Sequence, residues 1–177
     1  MMSVRSPHPS LRPWRDADFE AFAALHADPE VAYWLGGTLT REQSRRLFDD
    51  TRESLERQGW GVWALQDEAG QLVGATGLQP VPASLPVRTG IEATWRLLPR
   101  AWGRGLVTTA LRAVLADARE RLGCREIVSY TAEPNARSRA VMARLGFTYE
   151  ADRDFDHPRL AADHPLRRHV FYRLELR

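Results

Sequence analysis

Residues 99–111 read PRAWGRGLVTTAL, a glycine- and arginine-rich loop that runs directly into an apolar helical pattern. Gly103 and Gly105 bracket Arg104, and glycine leaves the backbone N–H groups of such a turn uncovered by side chains. The positive end of the following helix, with Arg100 and Arg104, would suit a pyrophosphate. On these residues alone, the loop is either a phosphate site or a tight strand-to-helix turn with solvated arginines.

Two common phosphate-binding patterns do not fit this loop. A dinucleotide-binding loop has a third glycine where this chain has Thr108, and it lies near the start of an alternating β/α chain. A P-loop needs a lysine. All 25 basic residues here are arginine, which also excludes Schiff-base chemistry and a Ser–Lys dyad.

The composition predicts one globular domain spanning residues 1–177. The chain is 44% hydrophobic and 27% charged, with no apolar run long enough to cross a bilayer. The N-terminal stretch lacks the apolar centre of a secretory signal, and the single Cys124 cannot form an internal disulfide. We therefore expect a cytoplasmic protein with no membrane partner. A net charge of only +2, with arginines scattered among acids, predicts no nucleic-acid partner.

Apolar spacing and capping residues predict four helices. Asp16 or Asp18 could cap the first helix, and Thr40 and Gln43 have capping-box spacing in the second, which is polar and largely exposed. The predicted helices are 16–28, 40–59 ending at Gly59, 106–122 before Gly123, and 135–147 closed by Gly146.

Alternating or short apolar runs predict six strands. They are 60–68, 71–81, 90–98, 125–131, 148–155 and 169–176, the first two forming a hairpin. The order strand, helix, strand, helix from 90 to 147 implies a parallel pair with a right-handed crossover. The predicted fold is a mixed, mostly antiparallel α/β (α+β) sheet of six to seven strands, with about four helices on its two faces.

Two motifs at this spacing resemble the GNAT superfamily of N-acetyltransferases. The pattern R-x-x-G-x-G at 100–105, between a strand and a long helix, resembles the acyl-CoA pyrophosphate loop of that family. NARSRAVMARLGF (135–147), with Asn135, Ser138 and a terminal Gly-Phe, resembles the ribosomal-protein N-terminal (alanine/serine) acetyltransferase branch. Residues 11–176 follow the family's order of elements, so the resemblance covers nearly the whole chain.

The resemblance implies acetyl-CoA as cosubstrate. Strands 90–98 and 125–131 would start parallel and splay apart around the pantetheine arm, with the pyrophosphate on the amides of residues 101–105. Backbone N–H groups around Trp95 to Leu97 would polarise the thioester carbonyl. The implied cofactor-binding residues are Trp95, Arg96, Leu97, Arg100, Ala101, Trp102, Gly103, Arg104, Gly105, Asn135 and Ser138.

The resemblance also implies direct attack of a primary amine on the thioester, without a covalent enzyme intermediate. Glu92 would take the amine's proton, directly or through water, and Ser138 would lie near the CoA sulfur. Each residue also has a purely structural interpretation. Glu92 could form an ion pair with Arg96, Asn135 could simply cap its helix, and Ser138 could be a structural helix serine.

The chain lacks the tyrosine that serves as the general acid in many members of the broader superfamily. Many members place a tyrosine seven residues after the asparagine, where this chain has Met142. Ser138, Tyr130, Tyr149 or water could then protonate the thiolate, and we rank Ser138 first.

The sequence says less about the binding site for the amine acceptor than about the site for acetyl-CoA. Trp34, Trp60, Trp63 and Trp95 either line a pocket or belong to the core. The loop 152–169, where the family often closes over its acceptor, carries acids that could attract a cationic amine. Its His and Asp spacing matches no zinc pattern, so we expect no metal. The acceptor could be a protein N-terminus or a small-molecule amine, and the resemblance is compatible with a homodimer.

Two competing functions remain open. A ping-pong acetyltransferase could use Cys124, although no histidine lies near it in sequence. Alternatively, the chain could be a non-catalytic acyl-CoA-binding or sensor module of the same fold, an interpretation favoured by the missing tyrosine.

Overall fold

A computed structural model describes residues 5–88 and 90–177, which contain eight strands and five α-helices. The predicted mixed α/β fold class is confirmed. In chain order the elements are β1 (Leu11–Arg12), α1 (Phe19–Ala27), α2 (Pro29–Trp34), α3 (Arg41–Gln58), β2 (Val62–Gln66), β3 (Leu72–Pro80), β4 (Ile91–Leu97), α4 (Leu106–Glu120), β5 (Glu126–Ala132), α5 (Ala136–Arg144), β6 (Thr148–Tyr149), β7 (Phe155–Asp156) and β8 (Arg168–Glu175).

The described residues divide into two compact units. The first comprises residues up to 78 together with 94–114, and the second comprises 79–93 together with 115–177. Strands β3 and β4 and helix α4 each begin in one unit and end in the other. The expectation of a single domain over residues 1–177 stays a prediction.

The first unit carries the strand order β1-β2-β3-β4. Strands β2 and β3 form the predicted antiparallel hairpin, with Val62 opposite Gly77, and β1 pairs antiparallel with β2. The end of β4 is tied to β3 by a hydrogen bond of 2.9 Å from the Leu98 N–H to the Val73 carbonyl. These bonds fix the position of the segment that leads into the glycine loop.

Helices α1 and α3 contribute to an aromatic cluster in the first unit. Phe22 and Phe48 meet edge to face with ring centroids 5.3 Å apart, and Trp14 packs against both. The Trp14 indole also donates to the Val62 carbonyl at 2.9 Å, which connects this cluster to β2. Edge-to-face pairs contribute about 0.5–1.5 kcal/mol each beyond area burial. Helix α3 has the predicted Thr40 capping box and ends at Gly59 as predicted.

Two features of the first unit differ from the sequence predictions. Asp18 does not cap α1 through its side chain; its carboxylate instead accepts hydrogen bonds of 2.6 and 2.8 Å from Arg12 and one of 2.7 Å from the Arg15 N–H. Helix α2 was not predicted. Its N-cap is Asp28, followed by Pro29 at the first helical position, where proline is favoured.

The second unit carries the start of β4, followed by β5, β8 and β6, with β7 paired to β8. Strands β4 and β5 are parallel, as predicted, with Glu92 opposite Val128. Strands β5 and β8 are antiparallel over their length, from the Glu126–Glu175 pair to the Ala132–His169 pair. The single strand predicted for 148–155 is wrong, because a short 3-10 helix, Ala151–Arg153, separates β6 from β7.

Candidate active site

The glycine loop begins with an ordered turn. The 3-10 helix Pro99–Ala101 follows β4, and its Ala101 side chain is buried. The Trp102 N–H donates to the Pro99 carbonyl at 3.0 Å, and the Trp102 indole N–H donates to the Leu97 carbonyl at 2.9 Å. Local hydrogen bonds therefore anchor residues 99–102 to the end of β4.

Gly103 and Gly105 adopt left-handed backbone conformations, with φ of 72° and 75°. A Cβ built on either glycine would meet no atom within 4 Å, so glycine is favoured there by the backbone conformation and not by crowding. The N–H groups of residues 103–105 donate to no acceptor within residues 5–88 and 90–177. They lie immediately before the 15-residue helix α4, whose N-terminus carries partial positive charge. This arrangement can bind an anion.

The two arginines of the loop have different surroundings. Arg100 is exposed and donates a hydrogen bond of 3.1 Å to the Leu72 carbonyl on β3. Arg104 is exposed, and its side chain makes no hydrogen bond or ion pair within the described part of the chain. Arg104 is therefore the better placed of the two to bind an anion at the loop.

The direction of the backbone N–H groups at the end of β4 shows which of them could polarise a thioester. The Leu98 N–H points towards β3, and N–H groups alternate in direction along a strand. The N–H of Arg96 therefore also points towards β3, while those of Trp95 and Leu97 point away from it. The backbone of Arg96 is consequently a poor candidate for the predicted role.

Glu92 lies in the second unit and is only 6% exposed. Its Oε1 atom accepts a hydrogen bond of 2.7 Å from Nε2 of Gln79 on β3. Gln79 was not among the predicted site residues, because the contact depends on the register between β3 and β4, which the sequence analysis did not assign. The available signal was the hairpin-like pairing of β3 with β4, which places residue 79 opposite residue 92.

Asn135 is the N-cap of α5, as its structural interpretation predicted. Its Oδ1 accepts a hydrogen bond of 3.2 Å from the Ser138 N–H, and its Nδ2 donates to Thr131 Oγ1 at 3.1 Å. Both ends of the buried amide thus have protein partners. The Ser138 hydroxyl is half-buried and makes no hydrogen bond to any described residue. Ser138 therefore retains a hydroxyl that can interact with a ligand.

The residue in place of the usual tyrosine acid and the two tyrosines predicted as alternative proton donors have different surroundings. Met142 is fully buried in the second unit. The Tyr149 hydroxyl donates to Asp154 at 2.7 Å, and this hydrogen bond to a carboxylate raises the pKa of Tyr149. Tyr130 is half-buried and packs edge to face on Phe155, with centroids 5.5 Å apart. The hydrogen bond to Asp154 favours Ser138 or water over Tyr149 as the proton source, whereas the ring contact of Tyr130 does not involve its hydroxyl.

Acids of the loop 152–169 contact arginines of the same region. Arg168 lies 3.9 Å from Asp154 and 3.6 Å from Asp156, and Arg167 lies 3.4 Å from Asp156. Asp154 also accepts the Phe171 N–H at 3.0 Å. The loop therefore offers a cationic amine less negative charge than its sequence indicates.

The four tryptophans proposed for a pocket have different exposures. Trp63 is 2% exposed and belongs to the core, as the structural interpretation predicted. Trp34, Trp60 and Trp95 are half-buried. Trp63 is therefore removed from the set of candidate pocket residues.

Cys124 lacks the features of an activated nucleophile. It is half-buried, and burial raises the pKa of its thiol above the ordinary value. A nucleophilic cysteine needs the opposite shift, towards the thiolate. The structure therefore disfavours the ping-pong mechanism.

The described residues show neither a membrane-spanning helix nor a metal-binding cluster. None of their helices is both long and apolar enough to cross a membrane. They also contain no cluster of three or more His, Cys, Asp or Glu side chains arranged to hold a metal ion.

Comparisons with known proteins identify the family. The family model "Acetyltransferase (GNAT) domain" matches residues 10–148. FsC-acetyl coenzyme A-N(2)-transacetylase from Aspergillus fumigatus is 37% identical over 95 residues, which cover 51% of this chain but only 40% of that relative.

Solved structures match the fold over almost the whole chain. An acetyltransferase from Agrobacterium tumefaciens str. C58 is 27% identical, with a TM-score of 0.73 over 94% of this chain and 90% of that one. A ribosomal-protein-alanine N-acetyltransferase from Brucella melitensis is 22% identical, with a TM-score of 0.72 over 94% and 99%, and at this identity it shows the fold alone. Since the family model matches well over half of the sequence, the chain belongs to the GNAT acetyltransferase family.

Proposed function

We propose that the protein transfers the acetyl group of acetyl-CoA directly to a primary amine within a ternary complex. Family membership supports acetyl transfer, and the name of the Aspergillus relative includes acetyl coenzyme A. The observation that carries the proposal is the group of three backbone N–H groups at residues 103–105, which have no protein acceptor among the described residues and precede α4. In this proposal they bind the pyrophosphate, with Arg104 supplying a charged donor.

The chemistry then requires an oxyanion site, a base and a proton for the thiolate. We assign the oxyanion site to the N–H groups of Trp95 and Leu97, which point away from β3. Glu92 takes a proton from the attacking amine as the carbon–nitrogen bond forms. The carbon–sulfur bond then breaks, and the CoA thiolate receives a proton from Ser138 or from water.

A second candidate function is a non-catalytic acyl-CoA-binding module. The observation that favours it is the fully buried Met142, which stands where many superfamily members carry a tyrosine acid. Such a module would keep the glycine loop and bind acetyl-CoA without turnover. Activity, and not binding, therefore distinguishes the two functions.

Calorimetric titration with acetyl-CoA tests the first step, with ATP and NAD as controls for generic phosphate binding. We expect selective binding of acetyl-CoA, followed by thiol release in the presence of an amine from a panel of peptides with free N-termini and small primary amines. Absence of binding by a folded sample would contradict both functions. Binding without turnover across the panel, with Glu92→Gln changing nothing, would favour the non-catalytic module.

A further inference from the structure

We infer that Gln79 is a positioning residue for the catalytic base, holding the Glu92 carboxylate ionised and in a fixed orientation through its side-chain amide. The inference rests on the proposed function, in which Glu92 accepts the amine's proton. It adds a residue on a different strand, β3, to the residues that determine the reaction.

The geometry of the pair supports this role. Gln79 Nε2 lies 2.7 Å from Glu92 Oε1, the short distance typical of a charge-assisted hydrogen bond. An ionised carboxylate only accepts hydrogen bonds, so the amide nitrogen, and not its oxygen, must face it. The backbone positions the two residues for this contact, since the N–H of Val81, two residues after Gln79, donates to the carbonyl of Gly90, two residues before Glu92, at 2.9 Å.

The surroundings on this face of the second unit are largely apolar. Val128 lies opposite Glu92 in the parallel register, and it belongs to a buried cluster with Val81 and Phe171. Tyr130 packs against the same cluster. A hydrogen bond to a carboxylate is stronger in such surroundings than in water, so the loss of the Gln79 donor should have a measurable effect on Glu92.

The charged groups closest to Glu92 in strand register or in sequence are all arginines. Across β5, Arg173 lies opposite Val128 and is bound by Glu126, Glu150 and Glu175. Along the chain of β4 itself, Arg88 precedes the strand and Arg96 lies near its end. None of these groups is altered by substitution of Gln79, so a change in the titration of Glu92 reports the lost amide.

The first test needs no acceptor. NMR of protein labelled with [13C]glutamate follows the Glu92 carboxyl, assigned by its disappearance in Glu92→Gln, through a pH titration. In Gln79→Met we expect the Glu92 midpoint to rise by about one pH unit, because the ionised form has lost a donor. Gln66→Met is the matched control, since it removes a glutamine hydrogen bond to the Gly70 carbonyl. An unchanged midpoint in a folded variant would overturn the inference.

If Gln79→Met does not fold, Gln79→Glu preserves the shape of the side chain. It replaces the donor by a second carboxylate, so the two groups should share a proton and the Glu92 midpoint should again rise. A midpoint equal to that of the wild type would overturn the inference in this variant as well.

Kinetics separates this inference from the proposed function. With an amine from the panel that supports turnover, Gln79→Met should lower kcat about tenfold near the acid limb and leave the KM for acetyl-CoA unchanged. In a Glu92→Gln background the same substitution should have no further effect. An equal loss in both backgrounds would overturn the inference. Full activity of Glu92→Gln alone would instead remove Glu92 as the base, while the NMR titration would still report whether Gln79 controls Glu92.

Discussion

Gly74 on β3 packs directly against the carbonyl oxygen of Arg96 on β4. A Cβ on Gly74 would collide with that oxygen and would also lie 3.1 Å from the Leu97 Cα. The missing side chain at Gly74 therefore allows β3 to approach the end of β4, whose Trp95 and Leu97 amides the proposed mechanism uses.

Gly74→Ala should therefore destabilise the fold by about 2–3 kcal/mol, because the colliding atom belongs to the backbone and cannot move aside easily. Urea unfolding measures the change. Gly90→Ala is the control, since a Cβ there would come no closer than 3.9 Å to the Arg88 carbonyl. We expect the control to stay within about 0.5 kcal/mol of wild type. Equal stability of the two variants would contradict the close approach.

Gly103→Val and Gly105→Val should each weaken acetyl-CoA binding at least about tenfold. A β-branched residue disfavours the left-handed backbone, so the loop would change conformation and its N–H groups would be reoriented. The control is Gly70→Val in the β2–β3 turn, where φ is 76° and the surrounding space is also open. Calorimetry should show wild-type affinity for the control. Unchanged affinity of both loop variants for acetyl-CoA would show that the pyrophosphate binds at another place.

Asn135→Ala should cost about 1 kcal/mol or more of stability, because it removes the cap of α5 and the hydrogen bond to Thr131 together. Asn135→Asp keeps an oxygen that can accept the Ser138 N–H but loses the donor. It should therefore cost less than alanine. Denaturant midpoints of the two variants give the comparison, and an equal loss in both variants would show that the bond to Thr131, and not the cap, accounts for the effect.

Ser138→Ala should lower kcat while leaving the KM for acetyl-CoA almost unchanged, if its hydroxyl serves the departing thiolate. Tyr149→Phe should retain wild-type turnover, because the Tyr149 hydroxyl is already bound to Asp154. Thiol release with a reactive amine measures both. Loss of turnover in Tyr149→Phe, with Ser138→Ala active, would exchange the roles of the two residues.

His26 should make stability depend on pH between about 7 and 4. It is 1% exposed and its Nδ1 donates to the Phe22 carbonyl at 2.9 Å. Burial, followed by the charge of Arg96, lowers the pKa of His26 to about 4. The unfolded chain binds the proton below about pH 6.5, so stability should fall as the pH drops, by about 1–2 kcal/mol at pH 5. Urea unfolding of His26→Phe should show a smaller decrease in the free energy of unfolding between pH 7 and 5 than the wild type shows. An equal decrease in both proteins would contradict the assignment of this pH dependence to His26.

Elements defined by neighbouring residues were predictable from the sequence. The capping box of α3 joins Thr40 to Gln43, and both partners lie within one helical turn. Helix α2 was missed because six residues are too few to show a helical period, although Asp28 followed by Pro29 is a helix-start signal. Strand β1 has two residues, and only its pairing with β2 defines it.

Most features of the candidate site that could not be predicted from the sequence are contacts between different segments of the chain. The Gln79–Glu92 hydrogen bond depends on strand register, and the contacts of Arg168 with Asp154 and Asp156 depend on the path of a long loop. A list of charges in sequence order could not distinguish acids that are free to attract an amine from acids already paired. The Asn135 cap was predictable because its partner is three residues away.

The boundaries between the two compact units fall inside β3, inside β4 and inside α4. A protease or a gene truncation aimed at separating the units would therefore cut two strands and a helix instead of a linker. Each fragment would carry a broken element with exposed backbone hydrogen-bonding groups. Dissection of this enzyme is consequently better done by point substitution in the intact chain than by expression of its halves.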